Sequence, residues 1–409
     1  MKYIIKKIKI SFLLAFSAMM IFSSCNKDVE RFTDAAAVPA TGSLLGDTVK
    51  SNANDSLYYR LIIKSGLLPT IENKATTFTM FVPDNNGMKL FINAASGGLV
   101  PLNAPDAVFS GFITANIPAT TAAAIVSYNV CPQVLPAAAI PSTFPNLQYP
   151  SIFNPAPAIS ALLRLTTFPS TRNGAWLNNI PITAVDLFAA NGVIHHTAVL
   201  STPPQRYLWD RVNTDAGLTY LKAAIIRADS GTGNPGILQA ALMNIGANLT
   251  VFAPTDAAFQ ATLTGAITQA LIALGVPPAT AAAQAAALAS TPGVFSNAVL
   301  YGALPARKVK GIVVYHILGN RAFTNNFPTT TTYYPTLLNG GIPAHPGVGL
   351  TAVFGVPFVT SATVKGVGNA AAANIIINTS PLTPDPSGTS DQHYLNGTLH
   401  KINQVLLPQ

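Results

Sequence analysis

The chain has 409 residues, and charged side chains make up 9% of it, against about 25% in an ordinary soluble domain. Its 23 basic and 15 acidic residues give a formal charge of +8, with no Lys/Arg run to follow a phosphate backbone, which argues against a nucleic-acid partner. So few carboxylates speak against paired-acid glycosidic cleavage, and two Cys are too few for a disulfide framework.

Lys2, Lys6, Lys7 and Lys9 form a basic start, and Ile10 to Phe22 is a short apolar stretch closed by Phe22-Ser23-Ser24-Cys25. This is the layout of a secretory signal rather than a membrane span. The closing residues resemble a bacterial lipobox. That resemblance implies a signal over residues 1–24 and a diacylglyceryl group on Cys25, which becomes the mature N-terminus. Phe22 and Ser24 stand where the lipobox favours Leu and Gly or Ala, and an ordinary cleaved signal is the competing reading. At least two acyl chains are needed for stable anchoring. Removing four Lys and no acid leaves 8 − 4 = +4. Asn26-Lys27-Asp28-Val29-Glu30 resembles an export signal for the outer face of the outer membrane, with a solvated tether as the alternative. The expected location is therefore a lipid anchor in the outer membrane with the chain exposed at the cell surface, or facing the periplasm. With Cys25 lipidated, Cys131 is alone, and a buried thiol is expected there.

After a tether over residues 25–46, one phrase occurs twice. Phe78-Thr79-Met80-Phe81-Val82-Pro83-Asp84-Asn85 returns as Leu249-Thr250-Val251-Phe252-Ala253-Pro254-Thr255-Asp256. A repeat of this length means two copies of one domain. Leu57, Leu61, Ile62 and Leu68 precede the first copy, and Leu218, Leu221, Ile225 and Ile226 the second, at helical spacing. Asp55 or Ser56 is expected to cap the first of these helices. The phrase itself reads as a buried strand ended by Pro83 or Pro254. Thr255 or Asp256, and one of Asp84, Asn85 or Asn86, then caps a following helix. Tyr128 and Tyr315 follow in apolar runs. The offset is 171 at the Pro pair and 187 at the Tyr pair, so the second copy carries 16 more residues between them, expected near Pro277 to Pro292. Each copy closes on an Asn-Gly turn (Asn191-Gly192, Asn396-Gly397), with an Asp six residues before the Gly and a His three after it. The alternation from Lys401 to Pro408 predicts a long final strand. Pro203-Pro204 marks the boundary between domains 47–204 and 205–409.

In order, these boxes resemble the fasciclin (FAS1) domain, twice. Thr250 to Phe259, Tyr315-His316 and Asn396 to Pro408 match the family's pattern. The first copy departs at Asn129, which replaces the His after Tyr128, and in a closing run one residue shorter. The resemblance implies an α+β fold, two tandem domains each a wedge-like β-sandwich with a helical layer, and binding or adhesion through an extracellular protein or polysaccharide partner. Tyr315, His316 and His400, with Tyr128 and His195 in the first copy, are the candidate partner-binding residues. For the His residues, a buried ring bonded to backbone is the competing reading.

No catalytic signature emerges. H-E-x-x-H and G-x-S-x-G are absent, so neither zinc nor a Ser nucleophile is indicated, no cofactor is implied and no enzyme is expected. His195 and His196 are adjacent and on a strand point to opposite faces. Gly347 to Ala352 imitates a dinucleotide fingerprint but has Pro346 before it and Pro357 where a helix should run. Asp186 and Asp391 are expected to brace their turns, and His345 and His393 to lie in loops. Long Pro-rich segments, Pro132 to Pro157 and Pro328 to Pro346, are expected to be binding loops. Trp176, Tyr333 and Tyr334 motivate a second functional expectation, carbohydrate capture for an envelope nutrient-uptake system. Asp47-Thr48-Val49 and Asp55-Ser56-Leu57 resemble a weak O-glycosylation sequon.

Overall fold

The repeated phrase forms a strand in each half, every residue of it buried, and the rest of each half is arranged around that strand. The computed structural model describes residues 42–355, 358–378 and 388–409. The signal, Cys25 and the tether as far as residue 41 lie outside the described residues.

The first half runs α1 (Leu45–Ser51), α2 (Ser56–Ser65), α3 (Leu68–Ile71), β1 (Phe78–Pro83), α4 (Asn85–Ala95), α5 (Asp106–Asn116), α6 (Ala119–Tyr128) and β2 (Val130–Cys131). It then continues through β3 (Tyr149–Pro150), β4 (Thr166–Thr167), β5 (Pro169–Ser170), β6 (Trp176–Leu177), β7 (Ile180–Ala189) and β8 (Gly192–Thr197). The second half runs α7 (Leu208–Thr214), α8 (Thr219–Ala228), α9 (Ile237–Ala241), β9 (Leu249–Pro254), α10 (Asp256–Ala273), α11 (Pro278–Leu288), α12 (Ala306–Tyr315) and β10 (Ile317–Leu318). It ends with β11 (Thr332–Tyr334), β12 (Val348–Phe354), β13 (Val359–Lys365), β14 (Ala373–Asn374), β15 (Gln392–Tyr394) and β16 (Gly397–Ile402).

The fold is mixed α+β in two tandem halves. Sheet order is β2-β1-β8-β7-β6-β5 in the first half and β10-β9-β16-β15 in the second, where a further sheet β11-β12-β13-β14 packs against it. The central pairs are parallel and in the same register: Phe78 opposes Gly192 and Phe81 opposes His195, as Leu249 opposes Gly397 and Phe252 opposes His400. One apolar core spans Leu45 to Leu200 and a second Leu208 to Val405. A third, including Phe252, Tyr315, Val348, Leu350 and Ile402, lies between the two second-half sheets. The first core begins at Leu45, two residues before the expected domain start.

Local chemistry explains the repeated phrase. Asp84 Oδ1 accepts from Gly87 N–H at 2.8 Å and Thr255 Oγ1 from Ala258 N–H at 3.3 Å, capping α4 and α10. The next residue reaches back instead. Asn85 Oδ1 accepts from Leu57 N–H and Asp256 Oδ1 from Tyr220 N–H, both at 3.0 Å. The cap on α2 therefore comes from Asn85, and neither expected capper supplies it; buried Asp55 is paired with His196.

The Asn-Gly pair closes each half, but not through left-handed backbone, since neither residue has positive φ in either copy. Its Asn caps the first helix of its half: Leu45 N–H donates to Asn191 Oδ1 at 2.9 Å, and Leu208 N–H to Asn396 Oδ1 at 3.0 Å. Its Gly lets the parallel strands meet. A β-carbon would fall 2.0 Å from the Phe78 carbonyl at Gly192 and 2.4 Å from the Leu249 carbonyl at Gly397. The predicted final strand stops at Ile402. Beyond it Val405 and Leu406 stay buried, held by side chains rather than by a ladder.

The first Pro-rich segment joins the halves. Phe144 meets Phe327 and Tyr334 edge-on, with centroids 5.5 and 4.9 Å away, and Asn146 donates to Asn326. Asn173 donates to the Phe327 carbonyl at 3.0 Å, Asn325 to the Asn178 carbonyl at 3.1 Å and Asn326 to the Arg172 carbonyl at 3.0 Å. Among the described residues no single helix is long and apolar enough to cross a membrane.

Candidate functional site

The five candidate residues lie inside the protein. Tyr128, His195, Tyr315 and His400 are fully buried and His316 nearly so, which corrects the expectation of a partner surface built from these side chains. Their polar atoms are used internally, and the His195 and His400 rings are held in the same way. His400 Nε2–H donates to the Ala322 carbonyl at 3.0 Å, and its Nδ1 accepts from Asp391 N–H at 3.1 Å. His195 bonds the Leu135 carbonyl at 2.8 Å and Asp186 N–H at 3.3 Å. A carbonyl only accepts and an amide N–H only donates, so both rings are the neutral Nε2–H tautomer. Each stacks on the Phe opposite it, Phe81 or Phe252. Burial holds both rings below the usual imidazole range.

Asp186 and Asp391 complete these clips. Both have positive φ, 60° and 53°. Their carboxylates accept from Ala137 N–H at 2.8 Å and Thr324 N–H at 2.7 Å. They thus tie the chain after β2 and β10 to the closing hairpin.

His316 links α12 to the end of the chain. Its Nδ1–H donates to the Ile312 carbonyl and its Nε2 accepts from Leu406 N–H, both at 2.8 Å. Burial lowers its pKa to about 4. Asn129 joins the corresponding segments with the second bond reversed, its Nδ2 donating both to the Ile125 carbonyl at 2.9 Å and to the Ser201 carbonyl at 2.7 Å. Tyr315 Oη donates to the Gly347 carbonyl at 2.7 Å and accepts from Val367 N–H at 3.0 Å. Tyr128 Oη meets the Thr166 carbonyl at 3.4 Å and Asn178 Nδ2 at 3.3 Å.

Other singled-out residues are also placed. His195 and His196 do diverge: His196 Nε2 pairs with Asp55 at 3.0 Å. His393 is on β15 rather than in a loop, and His345 Nε2 donates to the Pro408 carbonyl at 2.8 Å. Trp176 is core, Tyr333 is 43% exposed, and Tyr334 is half-buried against Phe144. Cys131 is a buried free thiol, its pKa pushed up to about 11 by burial. Gly347 to Ala352 leads into strand β12, with no helix to cradle a phosphate. Among the described residues, no three His, Cys, Asp or Glu side chains converge as metal ligands would.

The exposed candidate is a groove of about 570 Å³ on the second half, a size within the usual range for ligand sites. Lys222, Ala223, Ile226 and Arg227 of α8 form one wall, and Phe295 and Tyr301 the other. The Arg227 guanidinium lies 3.7 Å from the Tyr301 ring centroid, and its Nε donates to the Leu304 carbonyl at 3.1 Å. Ile226 is 53% and Tyr301 42% exposed.

The corresponding place in the first half is occupied. The capped amides Leu57 and Tyr220 align α2 with α8 at an offset of 163, which sets Arg60 opposite Ala223 and Lys64 opposite Arg227. The Tyr offset of 187 sets α5 opposite residues 293–303, where the second half has only two short 3-10 turns, Pro292–Ser296 and Ala298–Leu300. Arg60 Nε reaches Ser110 Oγ at 3.2 Å and Lys64 Nζ the Thr114 carbonyl at 2.6 Å, bridging α2 to α5. With Ala223 in place of Arg60, and turns in place of a helix, the second half is open there. Sequence reasoning placed the extra residues near Pro277 to Pro292 without finding the groove. The Arg-to-Ala difference was the available signal, but only once the copies were aligned through this helix.

No protein-family model matches the chain. No curated protein matches it. Among solved structures, it is similar to a FAS1 domain pair from the insect cell adhesion molecule fasciclin I. The two are 13% identical, over 87% of this chain and 98% of that one, with a TM-score of 0.32.

Proposed function

We propose that this chain is a non-enzymatic binding protein of the cell envelope, tethered by lipid at Cys25, that engages an extracellular glycan or protein through the groove of its second half. The observation that carries this reading is the contrast between the halves. The same buried clips hold both, while only the second leaves the outer face of its second helix uncovered by a long neighbouring helix. The groove offers an exposed Tyr ring, the apolar side chains of Ala223, Ile226 and Phe295, and the charged groups of Lys222, Arg227 and Asp215. That combination suits a sugar face flanked by polar groups, or an extended peptide.

Ala223→Arg tests the groove. It imports the first half's own residue and is expected to block binding at a stability cost of about 1 kcal/mol or less, since Ala223 is half-buried against the core. A glycan array with wild type and variant is the measurement. Oligosaccharide hits lost in Ala223→Arg support glycan capture. Hits that persist in the variant remove the groove from the proposal. An empty array together with variant-sensitive adhesion to protein-coated surfaces favours a protein partner. Protease shaving of intact cells tests surface display, and intact mass tests lipidation at Cys25.

A further inference from the structure

Arg321 follows β10 and is 2% exposed at the junction of the halves. Its Nε donates to Asn248 Oδ1 at 2.9 Å, and its Nη1 to the Tyr394 carbonyl at 3.1 Å and to the His393 ring. Its Nη2 donates to the Leu395 carbonyl at 3.3 Å. The guanidinium also stands 4.9 Å from the ring centroid of Phe168, in the first half. These partners are amides, carbonyls and rings, and none is a carboxylate. An ion taken out of water costs several kcal/mol, and a buried cation usually has an anion against it. Nη2 carries two hydrogens, of which the Leu395 carbonyl uses one.

A crevice of about 130 Å³ opens beside this group. The first half lines it with Gln148, Arg164 and Thr166, and the second with Asn248, Arg321 and Leu395. The lining includes two Arg and no Asp or Glu. Arg164 is exposed, and its Nη1 is fixed by the Ala161 and Leu163 carbonyls at 2.7 and 2.8 Å, which leaves Nε and Nη2 for a ligand. The space holds a few water-sized groups, enough for a charged substituent but too small for a folded partner's surface.

We propose that this crevice is an anion site, in which Arg321 on its floor and Arg164 at its rim hold a carboxylate or sulfate group, free or carried on a saccharide. The proposal is independent of the groove. The test is calorimetric titration of the full chain with sodium sulfate and with a glucuronate-containing oligosaccharide, against sodium chloride at matched ionic strength. Saturable heats with sulfate or glucuronate, absent with chloride, are expected. Arg164→Gln is expected to weaken binding about tenfold, the value of one charge-assisted contact. Arg321→Gln is expected to abolish it. Because Arg321 also braces β15, Arg164→Gln, an exposed change, decides the matter if Arg321→Gln fails to fold. An unchanged affinity in Arg164→Gln, or equal responses to chloride and sulfate, overturns the proposal. Tighter binding of the oligosaccharide than of free sulfate identifies a saccharide-borne anion; equal binding identifies a free one.

Discussion

Arg60 and Ala223 occupy the same place on the same helix in the two halves, and around them the molecule diverges. In the first half the Arg side chain reaches a neighbouring helix and the surface closes. In the second, two short turns face a small residue and a groove remains. A few residues away, the central strand pairing, the His clip, the Asp brace and the helix-capping bond to the Asn Oδ1 are repeated in both halves. Duplication has kept what sets strand register and helix position, and varied what covers the helical face. Buried polar groups with all their partners inside tolerate little change, whereas a solvent-facing helix does.

The sharpest way to break this comparison is at the shared Gly. Gly192→Ala and Gly397→Ala each drive a methyl into a strand carbonyl, and each is expected to cost about 3 kcal/mol or more in denaturant unfolding. Equal costs show that both parallel pairs are equally indispensable; a mild effect in one half shows that its strands can part. Next is the link at the end of the Tyr helix. His316→Ala leaves the Ile312 carbonyl and Leu406 N–H without partners and is expected to cost roughly 3 kcal/mol. His316→Asn, importing the first half's residue but with its Oδ1 turned to accept from Leu406 N–H, should recover about 1 kcal/mol of that loss. If Asn is no better than Ala, the two residues are not equivalent.

A pH series separates the halves more gently. Unfolded His takes up its proton near pH 6.5, but His316 in the folded chain does so only at about 4. Between those values the unfolded chain binds more protons, so stability falls as pH falls, by about 2 kcal/mol from His316 between pH 7 and pH 5. His195 and His400, also lowered by burial, act in the same direction. His196 acts oppositely, because its bond to Asp55 raises its pKa. Its contribution is full below the unfolded value and lost as pH rises through the folded one. In His316→Asn the acid-side loss should shrink by the His316 share, read from urea midpoints at the two pH values. The smallest effect is expected at the groove itself. Arg227→Ala removes a cation over a ring and should cost about 0.5–1 kcal/mol, with any larger change appearing in ligand binding alone.

Much of the fold was legible because its signals are local and repeated. Pro83 and Pro254 end strands, Asp84 and Thr255 cap helices, and the Asn-Gly pairs mark the closing hairpins. The reasons behind some signals were not legible. Asn191 and Asn396 serve a helix about 150 to 190 residues away in sequence, and Gly192 and Gly397 serve a strand contact rather than a turn angle. Neither fact is visible before the parallel pairing is known. The candidate site was misplaced for a related reason. Tyr and His in shared boxes attract functional readings, yet their flanks are apolar and their bonds go to backbone. The groove is made of ordinary residues, and only the loss of an Arg and the shortening of a helix distinguish it. Pro132 to Pro157 looked like a binding loop and does bind, but its partner is the other half of the same chain.

That seam gives the duplication an unusual property. Phe323 and Phe327 are fully buried, and Phe327 is packed in part against first-half residues. Asn325 and Asn326 spend their amide hydrogens on first-half carbonyls. The second half is therefore not a transplantable bead. Grafted onto another protein it would carry two greasy rings and unspent amides on its flank, so any engineered reuse of the groove has to bring the first half with it or redesign that flank.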